Sequence, residues 1–131
     1  MSVTLTISTI MKEYSGTVVR GDGRGKQLGY PTANIDITQL SINIEPGVYG
    51  AEVSLDQTNW IKGILFFGPK KTFDKVENTL EIHIFDFDKD IYDQKLFFNI
   101  GQFIRGPKKF NSVEELISQI KTDISKLDKD T

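Results

Sequence analysis

Apolar residues recur at every second position through most of this chain, and at helical spacing only once, near its end. Val3, Leu5 and Ile7 alternate with Thr4, Thr6 and Ser8, the spacing that gives a strand one apolar face. Tyr14 to Val19 is rich in strand formers and runs into Gly21-Asp22-Gly23-Arg24-Gly25. Within Gly47 to Leu55, the residues Tyr49, Ala51, Val53 and Leu55 share a face. Trp60 to Phe67 is mostly apolar and is closed by Gly68-Pro69. Leu80, Ile82 and Ile84 alternate with Glu81, His83 and Phe85, and Lys95 to Phe103 is a further strand. Short strands this dense, broken by turns, predict a sandwich or a small barrel.

The period then changes. Val113, Leu116, Ile117, Ile120, Ile124 and Leu127 fall on one side of a helix. Ser112-Val113-Glu114-Glu115 reads as its capping box, with the Ser112 hydroxyl accepting an orphan amide bond and Glu115 reaching back. An apolar stripe on a lone helix must cover something, and the open side of a barrel is the natural partner. The expected class is mainly β, or α+β, with the helix packed on an antiparallel sheet.

Composition removes several kinds of function. The 131 residues suit one domain, expected over 1–131 with its core at about 14–127. With no cysteine, disulfides and thiolate metal sites are out. Sixteen basic residues against eighteen acidic ones leave a formal charge of -2, so no overall positive field draws the chain to nucleic acid or anionic lipid. No apolar run approaches the roughly 20 residues of a membrane span, and Met1 to Thr6 lack the features of a secretion signal. The expectation is a soluble, intracellular, single globular domain.

The glycine cluster invites a phosphate-binding motif, and two standard ones fail. A Walker A loop needs four residues between its glycines and a hydroxyl residue after the lysine. Here three residues separate Gly21 from Gly25, and Gln27 follows Lys26. A dinucleotide fingerprint must open a helix, yet Gly29 and Pro31 follow at once. Glycines still let backbone amides approach an anion closely, and Arg24 and Lys26 add charge. The plain alternative is a hairpin turn with solvated basic residues.

Three further residues are candidates for chemistry. Thr32 and Asn34 lie two apart, so in an extended chain they point the same way. A hydroxyl and an amide oxygen are hard neutral ligands that suit a Mg²⁺ ion otherwise held by phosphate and water. Equally, both side chains could bond nearby turn backbone. Glu81 faces away from Leu80 and Ile82. It could take a proton from a substrate hydroxyl if that face borders a cleft, or it could be a charge on a wet strand face. His83 shares the face, and as the single histidine it reads as structural.

Taken in order, these segments resemble the riboflavin kinase family from about Tyr14 to Asp123. The resemblance is carried by Gly16-Thr17-Val18-Val19-Arg20-Gly21, Leu28-Gly29-Tyr30-Pro31-Thr32-Ala33-Asn34, Pro46-Gly47-Val48-Tyr49 and Leu80-Glu81-Ile82-His83-Ile84. Asp86-Phe87, Asp90-Ile91-Tyr92, Ile104-Arg105 and Lys109-Phe110 extend it. The fold it implies is a six-stranded antiparallel Greek-key β-barrel with a C-terminal α-helix. The activity it implies is transfer of the ATP γ-phosphate to the 5′-hydroxyl of riboflavin, giving FMN and ADP. The metal would be Mg²⁺, with Zn²⁺ or Mn²⁺ as alternatives.

The resemblance also assigns residues. Thr32 and Asn34 match the metal-binding pair, and Thr32 also lies against the ATP phosphates. Gly21 and Lys26 match the loop that covers the nucleotide, and Ile84, Asp86 and Tyr92 the nucleotide pocket. Glu81 matches the catalytic base. Arg105, Lys108 and Phe110 match the residues that hold the flavin. Many bacterial members are fused to an adenylyltransferase that makes FAD. The expectation here is a cytoplasmic, monomeric stand-alone kinase that acts on the small molecules ATP and riboflavin and by itself stops at FMN, with a separate adenylyltransferase as a candidate source of FAD.

Some segments depart from the family pattern. Phe66-Phe67-Gly68 replaces Asn-Ile-Gly, Lys70-Lys71-Thr72-Phe73 replaces a Pro-Thr-Phe stretch, Gly106-Pro107 follows Arg105 in place of an acidic residue, and Asp93 stands where glycine is usual. These changes motivate an alternative, a catalytically inactive flavin- or nucleotide-binding barrel. A barrel for single-stranded nucleic acid, with stacking by some of the nine phenylalanines, is opposed by the acidic balance.

Overall fold

The computed structural model describes residues 12–20, 32–71, 76–87, 89–106 and 113–129. Six strands appear in chain order: β1 (Glu13–Val19), β2 (Ala33–Ile35), β3 (Gly47–Ser54), β4 (Ile61–Lys71), β5 (Val76–Ile84) and β6 (Lys95–Arg105). One helix, α1 (Val113–Lys129), follows. The Val3–Ile7 strand and the Ser112 cap expected from sequence lie outside the described residues.

The strands close into a barrel in the order β1-β2-β5-β4-β3-β6, and every neighbouring pair is antiparallel. β3, β4 and β5 follow one another around the wall, and β6 returns to pair with β3, which is the Greek-key order. Closure leaves no sheet edge around the ring, which is how small all-β domains avoid open edges.

The period-two pattern sorts the side chains. Val18, Ile35, Val53, Leu65, Leu80, Ile82, Leu96 and Phe98 are buried in one core cluster inside the barrel. Residues of the other parity face outward. There Val48 and Ile64 are buried in a second cluster with Phe66, Phe85, Ile104 and Ile124 packed against it. Ile124 is on α1, so the helix covers part of the barrel's outer wall rather than plugging its interior.

β4 is longer than the sequence pattern predicts. It passes through Gly68-Pro69 to Lys71, and Pro69 pairs opposite Asn78 of β5. A proline cannot donate to a strand on both sides. At this point β4 needs only one neighbour, because β3 begins at Gly47, opposite Phe67. Residues 68–71 are therefore a local edge, where proline is tolerated.

Candidate functional site

The short strand β2 brings the candidate residues together. Its register against β5 sets Ala33 opposite Ile82, Asn34 opposite Glu81, and Ile35 opposite Leu80. Directly opposed residues share a sheet face, so Asn34 and Glu81 project from the same outer surface while Ile35 and Leu80 enter the core. Thr32 is two residues before Asn34, and its Oγ1 hydroxyl donates to Oε1 of Glu81 at 2.8 Å. All three are half-buried. Glu81 is thus bonded across the wall and not simply a charge on a wet strand.

A cavity of about 220 Å³ opens at the barrel mouth beside this trio. Val18, Ala33, Ile82 and Ile84 form its apolar wall, and Thr32 and Tyr92 lie on its border. The inward parity of β1, β2 and β5 makes that wall apolar. The turn carrying Tyr92 is fixed by the Asp93 amide donating to the Val18 carbonyl at 2.8 Å and the Val18 amide donating to the Gln94 carbonyl at 2.9 Å. The Tyr92 amide also donates to Oδ1 of Asp90 at 3.0 Å. An apolar slot with a few polar groups at its rim suits a flat heteroaromatic ligand.

The other sequence candidates fall into three groups. Ile84 and Tyr92 line the cavity. Asp86 is exposed at the end of β5, with a left-handed backbone (φ 52°), and is not part of the lining. Gly21, Lys26, Lys108 and Phe110 lie outside the described residues. Arg105 is described, and its guanidinium is engaged inside the protein. Nε donates to Oδ1 and Oδ2 of Asp123, Nη2 to Oδ2, and Nη1 to the Gly106 carbonyl.

Sequence reasoning passed over four contributors. Ala33 and Ile82 face each other at the cavity wall, and strand parity alone could have marked them as inward. Phe87 and Lys89, in the segment after β5, line both this cavity and a second hollow of about 160 Å³. Nothing periodic marks a loop residue of that kind.

The oxygen donors also bear on metal binding. Among the described residues, no three His, Cys, Asp or Glu side chains cluster as a metal site. The oxygen donors that could hold a cation here are the Thr32 hydroxyl and the Asn34 amide oxygen, beside the Glu81 carboxylate. That hard-oxygen set fits Mg²⁺, which keeps several waters or phosphate oxygens and takes few protein ligands.

A closed Greek-key barrel with an outer helix, a mouth cavity and oxygen donors at its rim places the chain in the class of small closed β-barrels. The chain belongs to the riboflavin kinase family, whose profile matches residues 10–130. It is 43% identical over 108 residues to the trifunctional protein RibF/MnmA of Mycoplasmoides gallisepticum, covering 82% of this chain and 16% of that one. It is 41% identical over 112 residues to the RNA-binding riboflavin kinase RibR of Bacillus subtilis, covering 85% and 47%. The riboflavin kinase of Mus musculus is 36% identical over 119 residues, covering 87% and 77%. The chain thus spans from about a sixth to just under half the length of the first two relatives.

Solved structures agree on the fold. One described as a macrolide-efflux protein from Streptococcus pneumoniae superimposes with a TM-score of 0.81 at 32% identity, covering 92% of this chain and 39% of that one. The riboflavin kinase of Trypanosoma brucei superimposes with a TM-score of 0.56 at 23% identity, covering 86% and 74%. Among the described residues, no helix is long and apolar enough to cross a membrane.

Proposed function

We propose that this domain phosphorylates the 5′-hydroxyl of riboflavin with ATP, releasing FMN and ADP. The observation that carries the reading is the Thr32–Glu81 hydrogen bond at the rim of the mouth cavity. It sets a hydroxyl, a carboxylate and, by register, the Asn34 amide beside a slot suited to a nucleotide base. The family match over most of the chain and the likeness to the mouse riboflavin kinase support it.

Phosphoryl transfer is mainly positioning and charge stabilisation. The slot formed by Val18, Ala33, Ile82, Ile84 and Tyr92 holds the adenine and excludes water from one side of it. The triphosphate then runs along the rim toward Thr32. Glu81 orients the incoming 5′-hydroxyl and accepts its proton as the new O–P bond forms and the bond to the β-phosphate oxygen breaks. In the free protein Thr32 occupies Oε1 of Glu81, so this hydroxyl must turn toward a phosphate oxygen to release the carboxylate for the substrate. A divalent cation on Thr32 and Asn34 would supply charge neutralisation at the phosphates. Lys26 and the glycine loop belong to the same reading as the nucleotide cover, and Lys108 and Phe110 as flavin contacts.

The experiment is incubation of the purified chain with riboflavin, ATP and a series of divalent cations, with FMN followed by chromatography. Metal-dependent FMN formation with equal ADP release supports the reading. Quenching of riboflavin fluorescence without either product would replace it with a binding function.

A further inference from the structure

Arg20 stands against a residue of the cavity lining, Tyr92, and has no part in the chemistry above. Arg20 follows Val19, which pairs opposite Asn34 on the outer face. Alternation turns Arg20 to the same side as Val18, and Val18 is a wall of the cavity. The Arg20 guanidinium lies over the Tyr92 ring, 4.2 Å from its centroid, and Tyr92 is another wall. Arg20 is otherwise exposed. Among the described residues the ion pair formed is Arg105–Asp123, so no described carboxylate neutralises Arg20. A guanidinium held against a ring loses side-chain freedom but keeps N–H donors for a second partner.

Thr32 stands at the border of the same cavity and reaches Glu81. A ligand with its flat part in the slot and an anionic tail toward Thr32 would leave by the rim where Arg20 sits. We propose that Arg20 recognises the polyphosphate of the donor nucleotide, and that Tyr92 holds the guanidinium at the rim before the nucleotide arrives. The inference rests on the kinase reading for the identity of the donor. It adds a phosphate contact from the end of β1, next to the β2 strand that Thr32 leads into.

Calorimetric titration of the full chain with ATP, ADP and adenosine, without riboflavin, tests it. Arg20→Ala should weaken ATP and ADP binding by about ten-fold, the scale of losing a charge-assisted hydrogen bond, and change adenosine binding less than two-fold. Arg20→Lys should recover part of the loss, and the KM for riboflavin should stay unchanged in both variants. Equal loss for adenosine would make Arg20 a brace for the Tyr92 ring and overturn the proposal. Unchanged affinity for all three ligands would overturn it as well. A wild-type chain that makes no FMN but keeps the phosphate-dependent loss would strike the kinase reading alone. Normal FMN production without that loss would strike this proposal alone.

Discussion

Asp123 lies fully buried on α1 with its carboxylate against the guanidinium of Arg105 at the end of β6. Three nitrogen–oxygen contacts from Nε and Nη2, at 2.9 to 3.2 Å, join them. Gln119 adds a fourth contact, its Nε2 donating to Oδ1 at 2.9 Å. Both carboxylate oxygens therefore have donors inside the protein. The pair fixes the helix on the barrel wall beside the apolar seat of Ile124.

Removing one partner of such a pair strands the other charge in a poorly solvated place. Asp123→Ala should lower unfolding free energy by about 3–5 kcal/mol, read by denaturant titration. Replacing both Arg105 and Asp123 with apolar residues of similar volume should cost much less than the single change. A loss below about 1 kcal/mol for Asp123→Ala would mean the pair is not what seats the helix.

Asp93 adopts a left-handed backbone, with φ 68°. That region is costly for a residue with a Cβ and open to glycine, which accounts physically for glycine being usual at this place in the family. Asp93→Gly should raise stability by about 0.5–1 kcal/mol, visible as a higher midpoint in thermal unfolding. A lower midpoint would show that the Asp93 side chain supports the Tyr92 turn in a way that outweighs the backbone strain.

Much of the barrel was legible in the sequence because its walls obey strict alternation. Tyr14–Val19, Gly47–Leu55, Leu80–Phe85 and Lys95–Phe103 each overlay a strand. β2 has only three residues, too few for periodicity to register, and its place follows from pairing with β1 and β5. The glycine and proline at 68–69 read as a stop, because a sequence does not reveal where a neighbouring strand ends. Asp123 falls within the apolar stripe of α1, between Ile120 and Ile124. A charge there reads as solvated until β6 supplies Arg105. At the site, the meeting of Thr32 and Glu81 across 49 positions depends on strand register, which composition and spacing do not encode. Resemblance to a known family supplied it.

Asp56 organises the turn after β3. Its carboxylate accepts the backbone amides of Asn59 and Thr58, each at 2.8 Å, together with the Asn59 side-chain amide at 2.8 Å and the Ser54 hydroxyl at 3.0 Å. The Asn59 amide, then that of Thr58, holds its pKa well below the usual carboxylate range. A depressed folded pKa stabilises the protein above the unfolded value of about 4 and is lost as pH falls below it. The thermal midpoints of the wild type and of Asp56→Ala should therefore differ at pH 7 and converge as pH drops below about 4. A gap that stays constant down to acid pH would assign the turn's stability to something other than the ionised carboxylate. The group is exposed, so salt screening keeps the effect modest.

Turnover of Glu81→Gln tests the central claim most directly. The amide keeps the shape of the side chain and can still accept from Thr32, but it cannot take a proton. FMN formation should fall by about a hundred- to ten-thousand-fold, while calorimetric ATP affinity stays within a factor of about two. FMN production at the wild-type rate in this variant would remove Glu81 from the reaction and, with it, the transfer site at the rim of the barrel.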